Sequence, residues 1–122
     1  AYACRVADLA GGQCVICLSE AVREGEDGVR FTVTRVTGEE PAFVVRFGGR
    51  VYAYFNRCAH VPIELDWQPG RFFDDSRLYL ICATHGALYE PESGRCVAGP
   101  CRGAYLKSIP VVERDGGVFL VE

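Results

Sequence analysis

The sequence contains no methionine, only two histidines and no excess of basic residues. Its 13 Lys and Arg against 16 Asp and Glu give a net charge of −3, whereas a nucleic-acid-binding protein needs a basic face. The apolar runs are shorter than the roughly 20 residues that cross a bilayer, and no charged-then-apolar leader opens the chain. We therefore expect a cytoplasmic protein that binds neither nucleic acid nor membrane.

The pattern of glycines and alternating residues favours short strands and tight turns. The chain has 122 residues, including 14 Gly and 6 Pro, a length that suits one domain with its own core. Residues 29–36 alternate apolar and polar side chains, which is typical of a half-buried strand. Glycine turns at 48–49 and 115–117 each separate two apolar runs, the second within 109–122, and predict hairpins. We expect an all-β domain of roughly eight to ten short strands.

The seven cysteines form an odd set, which argues against a fully paired secreted scaffold. We expect some of them to bind metal. Cys14 and Cys17 have C-x-x-C spacing but lie in an apolar run, so packing in a buried strand is favoured over a redox or zinc site. Cys4 fits ordinary strand packing. Cys96 and Cys101 could form a disulfide or remain thiols.

Both histidines lie beside a cysteine, in two similar short motifs. The first motif is C-A-H, with Cys58 and His60, and the second is C-A-T-H, with Cys82 and His85. Two thiolates and two imidazoles suit an iron–sulfur cluster or zinc. Since each motif supplies one ligand of each kind, we expect two loops to converge on one metal site.

This arrangement resembles the Rieske iron–sulfur family, whose pattern is C-x-H followed by C-x-x-H. Gly86 follows the second histidine as it does in that family. The stretch SGRCVAGP at 93–100 is similar to the family's Gly-Pro loop, which closes over the cluster, and 109–122 is similar to its last hairpin. The resemblance runs from about residue 29 to the end. One departure is the longer connection between the motifs, residues 61–81.

The resemblance implies both a cofactor and a fold. Cys58 and Cys82 would hold one iron of one [2Fe–2S] cluster, while His60 and His85 would hold the other with their edges facing solvent. The fold would be a Rieske-like antiparallel β-sandwich or barrel. In this single domain, residues 1–122, a small cluster-binding subdomain at about 56–103 would be inserted in a β base formed by the rest.

The residues around the two motifs predict the reduction potential. The high-potential members have an extra cysteine in each motif, forming a disulfide, and here the matching positions are Pro62 or a neighbour and Thr84, so that no such bridge can form. They also have a serine that donates to a cluster sulfide, where this chain has Ala87. Tyr89 matches their tyrosine, which donates to a cysteine sulfur. Because fewer donors stabilise the reduced cluster less, we expect the low half of the range of about −150 to +300 mV.

The resemblance implies an electron carrier without catalytic activity of its own. It would pass single electrons from a flavoprotein reductase to a terminal oxygenase and would be monomeric. An alternative is a small Rieske-like subunit of a larger reductase, such as an assimilatory nitrite reductase. A third hypothesis is a zinc-bound interaction module.

The long connection between the motifs holds several large or acidic side chains. Its aromatic residues could cap a local core or form a docking surface beside the cluster; they are Trp67, Phe72 and Phe73. Its acidic residues could simply be solvated or could steer a basic partner; they are Glu64, Asp66, Asp74 and Asp75.

Overall fold

The computed structural model describes residues 2–5, 13–35, 38–59, 61 and 63–121. Apart from a 3-10 turn at Ser19–Ala21, the regular structure in these ranges consists of strands, so the all-β prediction is confirmed. The strands are β1 (Tyr2–Arg5), β2 (Gln13–Leu18), β3 (Val29–Arg35), β4 (Gly38–Phe47), β5 (Arg50–Phe55), β6 (Leu80–Ile81), β7 (Leu88–Tyr89), β8 (Cys96–Ala98), β9 (Ser108–Ile109), β10 (Val111–Arg114) and β11 (Gly117–Val121). None of the helices in the described ranges is long and apolar enough to span a membrane.

The strands form three sheets. The base sheet has the order β1-β3-β4-β5-β9, the closing sheet β10-β11-β2, and the site sheet β6-β7-β8. Neighbouring strands are antiparallel except β1 and β3, which pair in parallel. The site sheet lies in the chain between β5 and β9, within the predicted segment 56–103. The division into a base and a cluster-binding subdomain stays a prediction.

The β4–β5 hairpin forms where the sequence predicts it. Gly48 and Gly49 have φ angles of 61° and 80°, and this left-handed conformation at both turn positions is the one that glycine adopts without strain. The carboxylate of Glu24 accepts hydrogen bonds from both N–H groups, each at 2.8 Å. The predicted last hairpin is also confirmed, with β10 and β11 joined at Asp115 and Gly116.

Two clusters of buried side chains form the core. One lies between the base and closing sheets and includes Ile16, Val44 and Val118. The other lies beneath the site sheet and includes Phe43 of β4. Because the second cluster also contains both motif cysteines, the base sheet and the predicted metal site share one core.

The long connection between the motifs supplies part of that second core. Phe72 and Phe73 are buried, and the Phe72 ring stacks on Phe43 with ring centroids 3.9 Å apart. The interpretation of these two aromatic residues as core is therefore confirmed. Trp67 differs, because 85% of it is exposed to solvent.

The cysteines of β2 have different surroundings. Cys17 is a buried thiol, and burial is the main cause that raises its pKa to about 11, so the packing prediction is confirmed for this residue. For Cys14 the packing prediction was wrong, because this residue is only partly buried and is disulfide-bonded. The side chain of Cys4 lies outside the part of the chain that the structure describes.

Candidate functional site

The first motif forms a loop that leaves the end of β5. The N–H of Cys58 donates to the carbonyl of Ile63 at 2.8 Å, and that of Ile63 donates to Val61 at 2.8 Å. This local turn places the Cys58 side chain in the core, with 3% of the residue exposed. His60, the histidine of this motif, lies outside the described residues.

The second motif forms the connection between β6 and β7. The N–H of Cys82 donates to the carbonyl of Ala87 at 2.9 Å, and the N–H of Gly86 donates to Cys82 at 2.7 Å. Gly86 has a φ of 71°, which favours glycine at this position. The turn buries Cys82 completely and leaves His85 exposed.

The structure brings the two motif cysteines together. The side chains of Cys58 and Cys82 are close enough for Cys58 to raise the pKa of Cys82, and the backbone N–H groups of His85 and Thr84 act on the Cys82 sulfur in the opposite direction. Burial is the main cause that raises the pKa of Cys82, and these backbone donors oppose it. A further hydrogen bond ties the loops, from the N–H of Ala83 to the carbonyl of Leu65 at 3.0 Å.

The donor set that the structure describes fits a metal site of mixed ligands. Two buried thiols in contact are soft donors, and His85 offers an imidazole at the surface on the same turn as Cys82. Within the described residues no three His, Cys, Asp or Glu side chains form a group that could hold a metal ion. The fourth predicted ligand, His60, lies outside the residues that the structure describes.

The hydroxyl of Tyr89 lies next to the first motif, as the sequence predicts. Its oxygen is 3.3 Å from Sγ of Cys58 and accepts from the N–H of Ala59 at 3.1 Å. Tyr89 is held by β7, the middle strand of the site sheet. Burial is the main cause that raises the pKa of its phenol far above the usual value, so the hydroxyl keeps its proton and can donate.

The loop after β8 packs on the second motif. A Cβ atom on Gly99 would lie 2.9 Å from Cα of Ala87, so only glycine fits this close approach. The same loop holds Cys96 and Cys101 as thiols. Their sulfurs are 2.9 Å apart, and Sγ of Cys101 is 3.2 Å from the Tyr89 hydroxyl.

A buried carboxylate, Asp66, orders the first motif, and sequence reasoning missed it. Asp66 accepts from Asn56 Nδ2 at 2.8 Å and from the N–H of Gly70 at 2.9 Å, and it forms an ion pair with Arg30 Nε at 3.2 Å. Asn56 in turn accepts from the N–H of Leu65 at 2.8 Å. Asp66 is therefore neither a solvated nor a steering residue. Nothing in one sequence separates it from its less buried acidic neighbours, Glu64, Asp74 and Asp75.

Comparisons with known proteins identify a family for most of the chain. The family described as the Rieske [2Fe–2S] domain matches residues 12–112. No curated protein sequence matches the chain.

Solved structures share the fold. The ferredoxin of carbazole 1,9a-dioxygenase from Nocardioides aromaticivorans IC177 is 24% identical with a TM-score of 0.69, covering 89% of this chain and 96% of its own. The terminal oxygenase of carbazole 1,9a-dioxygenase from Novosphingobium sp. KA1 is 28% identical with a TM-score of 0.71. That match covers 89% of this chain, which spans 29% of the oxygenase chain. A reduced oxygenase–ferredoxin complex of carbazole 1,9a-dioxygenase gives 24% identity and a TM-score of 0.70, covering 89% of this chain and 28% of the matched chain.

Proposed function

Because the chain belongs to the Rieske [2Fe–2S] domain family, we propose that it carries single electrons from a flavoprotein reductase to a terminal oxygenase. The proposed ligands of its one [2Fe–2S] cluster are Cys58, His60, Cys82 and His85. The observation that carries the assignment is the contact between the two buried motif cysteines, which come from separate loops.

Residues around the two motif cysteines supply hydrogen bonds that suit this cofactor. When bound, the cluster supplies a one-electron redox couple in the range of about −150 to +300 mV. Tyr89 donates its hydroxyl proton toward Cys58, and the backbone N–H groups of Thr84 and His85 donate toward Cys82. Such donors favour added negative charge on the ligand sulfurs. Asp66 fixes the loop that carries Cys58.

We place the docking surface for the redox partner around Trp67. A cavity of about 440 Å³ is lined by Trp67, Ile81 and Ala83, and the last two residues flank Cys82. Asp74, Asp75 and Arg71 also line it, and the excess of acidic over basic side chains suits a partner with basic residues. The exposed side chain of Trp67 offers the kind of aromatic contact that is enriched at protein interfaces.

The experiment for this function is an electron-transfer assay with the reductase and oxygenase encoded by neighbouring genes. The protein should support substrate oxidation only when both partners are present. Trp67→Ala should slow reduction of the carrier by roughly tenfold, as expected for an interface aromatic residue, and leave its midpoint potential unchanged. Leu18→Ala is the matched control, because Leu18 is 60% exposed on the closing sheet, which carries neither motif.

The assay also separates the carrier from a reductase subunit. A carrier should be monomeric, exchange partners and turn over many times per oxygenase. A subunit of a larger reductase should instead co-purify with its large chain and give no oxygenase turnover. The cytoplasmic location and the monomeric state stay predictions.

A further inference from the structure

A continuous line of polar contacts joins Cys58 to a second pair of cysteines. Tyr89 lies 3.3 Å from Sγ of Cys58 and 3.2 Å from Sγ of Cys101, and the Cys101 sulfur lies 2.9 Å from that of Cys96. These side chains are buried, although Cys101 keeps 8% of its surface exposed. The electron-carrier function assigns no role to Cys96 or Cys101.

The backbone holds this second pair close together. The N–H of Cys96 donates to Ala104 at 2.7 Å, and the N–H of Gly103 donates to the Cys96 carbonyl at 2.9 Å. The N–H of Ala104 also donates to the carbonyl of Cys101 at 2.8 Å. Because these bonds close the loop, the two sulfurs need to approach by only about 0.9 Å to reach the disulfide length.

The hydroxyl of Tyr89 has one proton and two sulfur neighbours. The thiol of Cys101 donates to Cys96, and the thiol of Cys96 donates to the carbonyl of Ala98 at 3.2 Å. The N–H of Ala59 already donates to the Tyr89 oxygen. The sulfurs of Cys58 and Cys101 therefore compete for the hydrogen bond that the Tyr89 hydroxyl can donate.

We propose that Cys96 and Cys101 are a redox-active pair that a peroxide oxidises to a disulfide, and that after this oxidation the Tyr89 hydroxyl donates its hydrogen bond to Cys58 alone. Closing the bond draws the Cys101 sulfur toward Cys96 and removes it as a competing acceptor. The stronger hydrogen bond to Cys58 then favours the reduced cluster. This second step rests on the proposed role of Cys58 as a ligand, while disulfide formation does not.

The oxidation is balanced with hydrogen peroxide as the oxidant. The partly exposed Cys101 sulfur attacks one peroxide oxygen, the O–O bond breaks, and the leaving hydroxide takes the thiol proton to form water. The Cys96 sulfur then displaces the oxygen of the resulting sulfenic acid, and a second water leaves. Two thiols have lost two electrons and two protons, and one peroxide has become two waters.

The first test is a peptide measurement, which does not depend on the cluster. Arg95 and Arg102 flank the pair, so trypsin releases residues 96–102 as one peptide that carries both cysteines. After the folded protein is treated with peroxide, unfolded in urea and then alkylated, this peptide should be two hydrogens lighter and unalkylated. Dithiothreitol should restore both alkylation sites, and Cys17, a buried thiol, should remain alkylatable throughout. A peptide 96–102 that keeps both thiols, or a disulfide that dithiothreitol does not open, would overturn the proposal.

The second test measures the effect on the cluster. Peroxide treatment should raise the midpoint potential of the wild-type protein, and dithiothreitol should reverse the shift. Cys101→Ser keeps a hydroxyl beside Tyr89 but cannot form the disulfide, and Cys96→Ala keeps the Cys101 thiol. Both variants should show no shift, which also controls for direct damage to the cluster. An oxidised peptide with an unchanged or lowered midpoint would contradict the coupling through Tyr89, whereas a protein without iron would contradict the proposed function instead.

Discussion

The hydroxyl oxygen of Tyr89 lies 3.3 Å from Sγ of Cys58, so the middle strand of the site sheet contacts the first motif directly. Replacing Tyr89 by phenylalanine removes this donor and keeps the ring. We expect the midpoint potential to fall by on the order of 50 mV. A hydrogen bond to a charged sulfur contributes about 1 kcal/mol or more, and for a one-electron couple about 59 mV corresponds to a tenfold change in the equilibrium constant.

A redox titration of Tyr89→Phe measures this fall. Tyr54→Phe is the matched control, because the Tyr54 hydroxyl is also buried but donates to the carbonyl of Pro91 at 2.6 Å. Its midpoint should equal that of the wild type. If the midpoint of Tyr89→Phe also equalled that of the wild type, the Tyr89 hydroxyl would not stabilise the reduced form.

The carboxylate of Asp66 should be needed for stability. Asp66→Asn replaces an acceptor oxygen by a donor NH₂ group among the N–H donors of Asn56, Gly70 and Arg30. We expect a loss of about 2–4 kcal/mol in the free energy of unfolding, since a buried polar network loses its partners. Urea denaturation followed by circular dichroism measures the loss.

Glu64→Gln controls for the change of charge at Asp66. Glu64 pairs with the same Arg30 at 3.0 Å, but 45% of its side chain is exposed. Its replacement should change the free energy of unfolding by less than about 0.5 kcal/mol. If Asp66→Asn were equally mild, Asp66 would not order the loop of the first motif.

The ion pair between Arg46 and Glu113 should make stability depend on pH. The hydrogen bond from Arg46 is the main cause that lowers the pKa of Glu113. A carboxyl with a lowered pKa stabilises the fold above its unfolded pKa of about 4.3, and this contribution is lost as the pH falls through the folded pKa. Glu113→Gln should therefore be less stable than the wild type at neutral pH, with a difference that shrinks below about pH 4.

Urea midpoints of both proteins across this pH range check the prediction. Asp115→Asn is a suitable control, because the pair of Asp115 with Arg114 at 3.2 Å is exposed and lies on the same hairpin. Its effect should be small at every pH. A difference between Glu113→Gln and wild type that stays constant with pH would rule out the ion pair as its source.

Replacing the exposed histidine of the second motif should remove the cofactor. His85→Ala deletes one proposed ligand, so we expect the visible absorbance of the cluster to be lost. Thr84→Ala changes the neighbouring exposed side chain and keeps the backbone N–H that donates to Cys82, so its spectrum should be retained. A Rieske spectrum that survives in His85→Ala would refute the assignment of this ligand.

Local patterns in the sequence predicted the hairpins and the motif loops. The glycines at 48–49 and at 116 impose turns through their own backbone freedom, and both hairpins form around them. The spacing of the cysteine and histidine within each motif is likewise a feature of residues that are close in the sequence. The structure buries both motif cysteines together, as the family pattern implied.

Contacts between distant segments could not be predicted in this way. The parallel pairing of β1 with β3 and the addition of β2 to the β10–β11 hairpin depend on which edges meet in the folded chain. The burial of Asp66 depends on donors from Arg30 and Asn56, which a scan of neighbouring residues does not reveal. The same holds for Cys101, whose contact with Tyr89 arises because the loop after β8 folds back over the site sheet.

A redox titration of the purified protein, followed by visible absorbance, is the decisive measurement for the proposed [2Fe–2S] electron carrier. We predict one electron per chain and a midpoint below about +150 mV, within the range of about −150 to +300 mV for clusters with two histidine ligands. A protein that binds zinc and accepts no electron, or a midpoint above about +150 mV, would contradict this prediction.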